Sequence, residues 1–194
     1  MSIMDLVSQH LGDGQVEQIA SRLGASKEQT QSAIGMALPT LLGAVAKKAE
    51  HDDGVAEIDG QLGDHDGSVF DSLSSLLGGG DEQQASQGNQ LLGSILGGRQ
   101  SKVETGIGKA SGLQGGQVSS LMGMLAPMVM GAIGKKKRDD GMDRGGLGGM
   151  LKGERQQIEQ QASCGLLAGL LDQDGDGDFD FSDVMQIGMK RFFG

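Results

Sequence analysis

The sequence predicts an all-α fold made of two related helical units followed by a C-terminal helix-loop-helix. Residues 19–49 recur at 107–137 without a gap, with 11 identities among 31 aligned positions. Apolar residues in both copies recur with the helical period of about 3.6 residues. An acidic stretch, 172–183, lies between two further helical patterns. The expected units are therefore helical repeats at 1–50 and 89–137, linkers at 51–88 and 138–153, and a last unit at 154–194.

The first copy contains signals for where its helices begin and end. Ile3–His10 and 16–23 have short helical patterns. Ser26 can cap a longer helix, and Gln29 three residues later completes a capping box. We expect Pro39 to kink or break this helix near its middle, because proline lacks the N–H that bonds to the preceding turn. The second copy repeats this arrangement.

Composition predicts the two linkers. Residues 51–88 are rich in Asp, Gly, Ser and Gln, and six of the sixteen residues at 138–153 are Gly. Each glycine disfavours a helix by about 1 kcal/mol relative to alanine. We therefore expect an acidic Gly/Ser linker between the repeats and a Gly-rich linker after them.

The overall composition narrows the class of protein. A net charge of −10 argues against bulk affinity for nucleic acid and favours cations or basic partners. The chain has 36 Gly, five Phe and neither Trp nor Tyr, so we expect a core of Leu, Met, Ala and Val with close helix contacts over glycine. Cys164 is the only cysteine, which excludes an internal disulfide. The N-terminal residues have neither a basic region nor a long apolar run, so we expect no signal peptide and a cytoplasmic location.

The acidic stretch reads DQDGDGDFDFSD and has the spacing of an EF-hand calcium loop. Positions 1, 3, 5, 9 and 12 would supply side-chain oxygens and position 7 a backbone carbonyl, while Gly177 falls at position 6, where the loop turns sharply. Calcium is a hard cation that takes about six to eight oxygen ligands. The predicted metal ligands are Asp172, Asp174, Asp176, Asp178, Asp180 and Asp183.

The last of these positions departs from the EF-hand pattern. Asp183 stands where EF-hands carry a bidentate Glu, and it is one methylene shorter. Dockerin-like loops, which this stretch resembles, end in Asp. A loop that does not pull in around Asp183 would bind calcium more weakly, or Mg²⁺ would compete. The alternative interpretation is a solvated acidic turn.

A second metal site has weaker support. Residues 62–73 form a degenerate calcium loop, with Asp64 and Asp66 at positions 3 and 5 but leucine at positions 1 and 12. His51, His65 and neighbouring Asp residues could hold a transition metal. The alternative is a solvated acidic loop.

The repeats themselves resemble a known family. The first copy reads LGAS at 23–26, followed by Pro39 and a Leu pair at 41–42. This pattern is similar to the YidB-like bacterial family of unknown function. Longer members resemble this chain in the second copy, the Gly-rich linkers and the acidic DGDG ending. The resemblance implies an all-α fold and supplies no reaction, so no catalytic residue carries over.

Residues 19–34, IASRLGASKEQTQSAI, also resemble a DNA-binding helix-turn-helix, whose second helix enters the major groove. The polar residues of that helix include one cation, Lys27, and one anion, Glu28, and the second copy has no charge there. Binding to phosphates needs several cations in each module. The basic run at 135–138 is better explained as a favourable helix end. DNA binding is therefore a weak alternative.

Membrane association is a stronger alternative. Residues 110–134 carry no charge, and the Met/Gly-rich helix expected at 118–134 could lie on a membrane surface. Its apolar part, 121–133, is shorter than the roughly 20 residues of a span, and Pro127 interrupts it. The preferred interpretation is a buried hairpin core. If its four methionines were exposed, they would form an adaptable surface for a partner helix.

No catalytic arrangement is evident. His10, His51 and His65 have no triad spacing, and the chain has neither a phosphate loop nor a zinc pattern. We therefore expect a non-enzymatic calcium-binding scaffold or interaction protein. Calcium loops of this kind usually pair, and a single loop would leave Phe179 and Phe181 exposed. A protein partner or self-association is expected for that reason.

Overall fold

A computed structural model describes residues 2–63 and 82–164 of the 194-residue chain. The described residues form α-helices joined by short turns, so the predicted all-α fold is confirmed. The helices are α1 Ile3–His10, α2 Asp13–Leu23, α3 Lys27–Lys48, α4 Asp52–Leu62, α5 Glu82–Leu96, α6 Gln100–Ser111, α7 Gly115–Asp139 and α8 Arg144–Cys164. A 3₁₀ turn, Gly97–Arg99, connects α5 to α6.

Local signals set the beginnings of the first three helices. The bounds of α1 agree with the prediction, while α2 begins three residues earlier, at Asp13. Ser26 caps α3 as predicted: Gln29 N donates to Ser26 Oγ at 3.2 Å, and Ser26 N donates to Gln29 Oε1 at 3.2 Å. This capping box satisfies two backbone donors that the first turn of a helix leaves unpaired.

Pro39 does not end α3, and Pro127 does not end α7, so a break near the middle of the helix, one of the two predicted outcomes, is wrong, while a kink stays a prediction. Each proline removes one intrahelical hydrogen bond, at a cost of about 3 kcal/mol for an isolated helix. Leu38 and Leu41 are buried on either side of Pro39 and hold α3 in the core. Tertiary packing on both sides therefore outweighs the local cost.

Parts of both predicted linkers are helical. α4 lies within 51–88, and α8 begins within 138–153 despite five glycines in its first ten residues. Leu147 and Leu151, four residues apart on α8, are fully buried. A Cβ on Gly148 would lie 3.4 Å from Val55 Cγ2, which is van der Waals distance, so α8 packs directly against α4 here. Burial of the apolar side outweighs the low helix propensity of glycine.

The core contains the predicted Leu, Met, Ala and Val together with isoleucine, which the prediction left out, and α7 lies within it. α7 packs against α1, α2, α3, α4, α5 and α6, and its interface with α5 is the most extensive. Met122, Met128 and Met130 are fully buried, and Met124 is 7% exposed. The predicted burial is therefore confirmed for these methionines, but α7 continues through Pro127 as one helix and does not form a hairpin there. They do not form an exposed surface for a partner.

Glycine allows close contact between α5 and α7, as expected from the composition. A Cβ on Gly88 of α5 would lie 2.2 Å from the backbone oxygen of Gly123 on α7. Pro127 lacks the N–H that would otherwise bond to that oxygen within the helix. The Gly88 backbone therefore occupies the side of α7 where this carbonyl has lost its donor.

The helix ends of the two halves follow the 88-residue offset of the sequence repeat. α2 ends at Leu23 and α6 at Ser111, and the glycines that follow, Gly24 and Gly112, have φ values of 64° and 78°. Two hydrogen bonds cross between the halves at these turns. Gln29 Nε2 donates to Gly112 O at 3.1 Å, and Gln117 Nε2 donates to Leu23 O at 2.8 Å.

Candidate functional site

The predicted calcium ligands lie outside the described residues, so their geometry stays a prediction. The helix that leads toward them is α8, described as far as Cys164. The sequence predicts the entering helix of the calcium unit from residue 154 onward, and 154–164 belong to α8. The attachment of α8 to the rest of the fold is therefore the observable part of this candidate site.

Asp59 of α4 holds the beginning of α8 and the end of α7. Its carboxylate pairs with Lys137 of α7, and its second oxygen lies 3.5 Å from Arg144 Nε of α8. The Asp59 side chain is 18% exposed. The hydrogen bond from Lys137 lowers the pKa of the Asp59 carboxyl, and Arg144 lowers it further. The carboxylate therefore stays ionised and joins three helices.

Two further polar contacts hold the middle of α8. Glu154 is 7% exposed, and its Oε1 accepts a hydrogen bond from Ile3 N at 3.1 Å. Its negative charge lies at the positive end of the α1 dipole, where carboxylates are favourable. Arg155 pairs with Glu50, which follows α3. The middle of α8, at the start of the predicted entering helix, is thus fixed to α1 and to the α3–α4 turn.

The described part of the second metal candidate does not gather ligands. His51 is the N-cap of α4 and is exposed, as are Asp52 and Asp53. Leu62, position 1 of the degenerate loop, is a buried core residue at the end of α4. Among residues 2–63 and 82–164, no group of three or more His, Cys, Asp or Glu could hold a metal ion. Asp64, His65 and Asp66 lie outside the described residues.

A shallow depression of about 280 Å³ lies between the end of α3 and the end of α5. Beside it, Lys48 Nζ donates to Glu57 Oε1 at 2.6 Å and to Ser94 O at 3.0 Å. Gln61 Nε2 donates to Ser94 Oγ at 2.8 Å, and Ser94 Oγ donates to Glu57. The hydrogen bond from Lys48 lowers the pKa of the Glu57 carboxyl. These groups satisfy one another, so the network connects α3, α4 and α5.

Most polar residues of the helix-turn-helix candidate make contacts within the fold or are buried. Lys27 pairs with Asp13 at 3.0 Å. Gln29 caps α3 and bonds to Gly112 O, and Thr30 is fully buried. Glu28 and Gln31 are exposed, and neither is a cation. This start of α3 therefore offers few groups that could contact phosphates or bases.

The polar residues buried in the described part of the chain are paired. Thr30 Oγ1 donates to Ser26 O at 2.9 Å, and Ser111 Oγ donates to Ile107 O at 2.6 Å. Together with Glu154 these are the buried polar side chains. His10 Nδ1 lies 2.8 Å from Leu6 O within α1. These contacts explain structural roles and do not assemble a nucleophile with a base.

α7 is long and apolar enough to cross a membrane by length and composition alone. Of its most apolar 18-residue window, 72% is buried within the fold. Insertion into a lipid bilayer would require α7 to leave the six helices that pack around it.

These features define an all-α protein in which α3 and α7 carry the same residue spacing. The chain belongs to a family of bacterial proteins of unknown function, DUF937, whose model matches residues 5–136. The match runs from α1 into the end of α7, so α8 and the predicted calcium unit lie beyond it. No curated protein and no solved structure matches the chain.

The long-range polar pairs are the residues that sequence reasoning missed. Glu50 and Arg155 are 105 residues apart, and Asp59 and Lys137 are 78 apart. Neither pair has a local spacing that would indicate a contact. The crossed glutamine bonds did have a signal, since Gln29 and Gln117 are identical positions of the repeat.

Proposed function

We propose that this protein is a non-enzymatic calcium-binding scaffold or interaction protein in which 172–183 binds one Ca²⁺. The observation that carries the proposal is the loop pattern itself: five Asp at ligand spacings and Gly177 at the turn position. Six carboxylates within twelve residues repel one another without a cation. Ion binding is therefore expected to order the loop.

The attachment of α8 supports a conformational role for the ion. Residues 165–171, outside the described part of the chain, connect Cys164 of α8 to the first predicted ligand, Asp172. Glu154 and Arg155 hold the middle of α8 on α1 and on the α3–α4 turn. Calcium binding that changes the entering helix would act on these contacts. The body of helices would then present a different surface to a partner with and without calcium.

We also propose that residues 1–50 and 89–137 are two copies of one YidB-like unit. The sequence repeat, the equal offset of the helix ends and the crossed bonds of Gln29 and Gln117 support this proposal. Gln117 completes a capping box with Gln114 at the start of α7, as Gln29 does with Ser26 at the start of α3. A duplication explains why both glutamines also reach the turn after the second helix of the other copy.

Calorimetry tests the ion site. We expect one Ca²⁺ per chain, with binding lost in Asp172→Ala and in Asp176→Ala, because each removes a side-chain ligand. Asp183→Glu should bind calcium more tightly and magnesium less tightly, because the longer side chain regains bidentate contact. Asp52→Ala is the matched control, since Asp52 is exposed and far from the loop in sequence. Unchanged binding in both Ala variants would place the site elsewhere.

Co-sedimentation with liposomes tests the membrane alternative, which the apolar composition of α7 favours. We expect the protein to stay in the supernatant with calcium and with chelator. Binding to liposomes in either condition would favour a peripheral membrane protein instead.

A further inference from the structure

α8 is bound along one side, in a groove between α3 and α4. Among residues 144–158, the buried positions are Leu147, Gly148, Leu151 and Glu154. Side chains three and four positions apart lie on one side of a helix, so the two leucines and the glutamate face the same way. α8 packs mainly on α3 and α4, and its other side is exposed. α8 therefore occupies the groove in the way that a bound helix would.

The helical structure of α8 depends on this groove. Five of its first ten residues are glycine, one of the poorest helix formers. A helix of this kind is marginal in water without tertiary packing. α8 also buries fewer side chains than α7, in which every residue from Met124 to Gly134 is buried. Elements with few buried contacts open at a lower free energy than the core, so we expect α8 to open more readily than α7.

Contacts other than those of α8 hold the walls of the groove together. Asp59 of α4 pairs with Lys137 at the end of α7, and Glu57 of α4 pairs with Lys48 at the end of α3. Ile58, between these two carboxylates in the sequence, is buried. α4 packs on α3 and on α7 as well as on α8. We therefore expect the groove to stay formed when α8 opens.

A short turn, 140–143, connects α7 to α8. Asp140, Gly141 and Asp143 are exposed, and Met142 is half-buried. Gly141 has a φ of 59°, which glycine adopts without the steric cost of a side chain. Backbone hydrogen bonds to the last turn of α7 close this connection. Extending the turn would therefore break few contacts and would carry α8 away from its own groove.

We propose that the groove binds α8 of a second copy of this chain, so that two chains exchange their α8 helices. The occupant is argued from α8 itself, since Gly148 already fits against Val55 and Glu154 already accepts a hydrogen bond from Ile3 N. Both chains carry the same groove and the same helix, so each contact of α8 can form between them. Among the described residues, the monomer and the exchanged dimer then differ at the turn 140–143.

This proposal does not depend on calcium binding, because the groove and the part of α8 that fills it lie before the predicted loop. It also assigns self-association to a different place. Pairing of calcium loops would put the contact after residue 164, whereas exchange of α8 puts it on α3 and α4. The two origins respond differently to chelator and to charge changes in the groove.

Complementary charge reversals test the exchange. Glu50→Lys puts a cation beside Arg155 of its own chain, and Arg155→Glu puts an anion beside Glu50. When these two variants exchange α8, each groove receives a helix of opposite charge. We expect heterodimers on the order of tenfold more readily than either homodimer, since two attractive pairs replace two repulsive ones and each accessible pair contributes a few fold. Native mass spectrometry and sedimentation velocity of the full chains measure the heterodimer.

Two controls isolate the exchange from general charge attraction. Lys27→Glu mixed with Asp13→Lys is the matched control, because this pair joins α2 to α3 at 3.0 Å and neither residue moves with α8. That mixture should form no heterodimer. The double variant Glu50→Lys with Arg155→Glu restores opposite charges within one chain, so its heterodimer with wild type should be disfavoured. Circular dichroism should show every variant folded, since all four side chains are accessible to solvent.

Several results would overturn the proposal. One is a mixture of Glu50→Lys and Arg155→Glu that stays monomeric at every concentration or forms homodimers as readily as heterodimers. Heterodimers in the Lys27→Glu and Asp13→Lys mixture would do the same. The experiment is run with calcium and with chelator, and exchange of α8 predicts heterodimers in both. A dimer that chelator removes and that ignores the charges at 50 and 155 would assign self-association to the calcium loop instead.

Discussion

α3 and α7 have the same spacing of glycine, methionine and proline but different surroundings. Pro39 and Pro127 both lie within continuous helices, each four residues after a glycine. On α7 the residues from Met124 to Gly134 are all buried, whereas on α3 Met36 and Pro39 are only half-buried. The difference lies in α5, which covers α7 at Gly88. The residue pattern specifies a helix that allows close contact, and the neighbouring elements decide whether the contact forms.

The largest expected effect comes from the same substitution at equivalent positions of the two helices. Met124→Ala should lower the free energy of unfolding by about 2–5 kcal/mol, because a buried methionine leaves a cavity. Met36→Ala should cost about 1 kcal/mol or less in the monomer, since solvent already reaches this side chain. Urea unfolding at low protein concentration measures both. Equal losses would contradict the assigned difference in burial.

A smaller effect is expected where α5 meets α7. Gly88→Ala should destabilise the fold by about 1–3 kcal/mol, because the new Cβ would lie 2.2 Å from the Gly123 oxygen. Gly93→Ala on the same helix should be neutral or stabilise it by up to about 1 kcal/mol, since alanine is the better helix former and the site is open. Thermal unfolding followed by circular dichroism distinguishes them. A stabilised Gly88→Ala variant would show that α5 does not approach α7 as closely as the structure has it.

The smallest effect concerns the ends of the two helices, both of which pair with α4. Asp59 holds Lys137 at the end of α7, and Glu57 holds Lys48 at the end of α3. Both carboxyls have lowered pKa values in the folded state. Their contribution to stability is therefore present above the unfolded pKa, near pH 4, and is lost as the pH falls through the folded pKa.

Asp59→Asn should consequently remove more of the acid-induced loss of stability than Glu57→Gln. The Asp59 side chain is 18% exposed and that of Glu57 is 51% exposed, so solvent screens the second pair more strongly. We expect about 1 kcal/mol for Asp59 at neutral pH and less for Glu57. Unfolding experiments between about pH 2 and about pH 7 measure both variants, since carboxyl groups ordinarily titrate near pH 4. A steeper acid limb in Asp59→Asn would contradict the assigned pairing.

Much of α1, α2 and α3 could be predicted because their signals are local. Ser26 and Gln29 lie three residues apart, and the capping box forms between groups that the first turn brings together. The segments of α4 and α8 also contain apolar residues at helical spacing. Composition alone predicts linkers in these segments, because glycine and acidic residues dominate them, and the burial of Leu147 and Leu151 depends on the tertiary fold.

The candidate calcium site is the reverse case. Its ligand pattern is complete within twelve residues, so sequence alone suffices for the hypothesis and for the choice of Asp172 and Asp176 as test positions. The contacts that would transmit the effect of calcium binding to the other helices have no such pattern. Glu154 meets Ile3 N across 151 residues, a pairing that depends on how α8 packs.

The sequence by itself determined the helical class, the caps, the repeat and the predicted loop, because each depends on residues within a few turns or on a direct alignment. Only the tertiary structure decided that α3 and α7 continue through their prolines and that α8 forms over glycines. It also decided that the side with Gly, Met and Pro is buried on α7 and only half-buried on α3. These outcomes depend on burial against distant elements, which contributes more free energy than the local preference of any one proline or glycine.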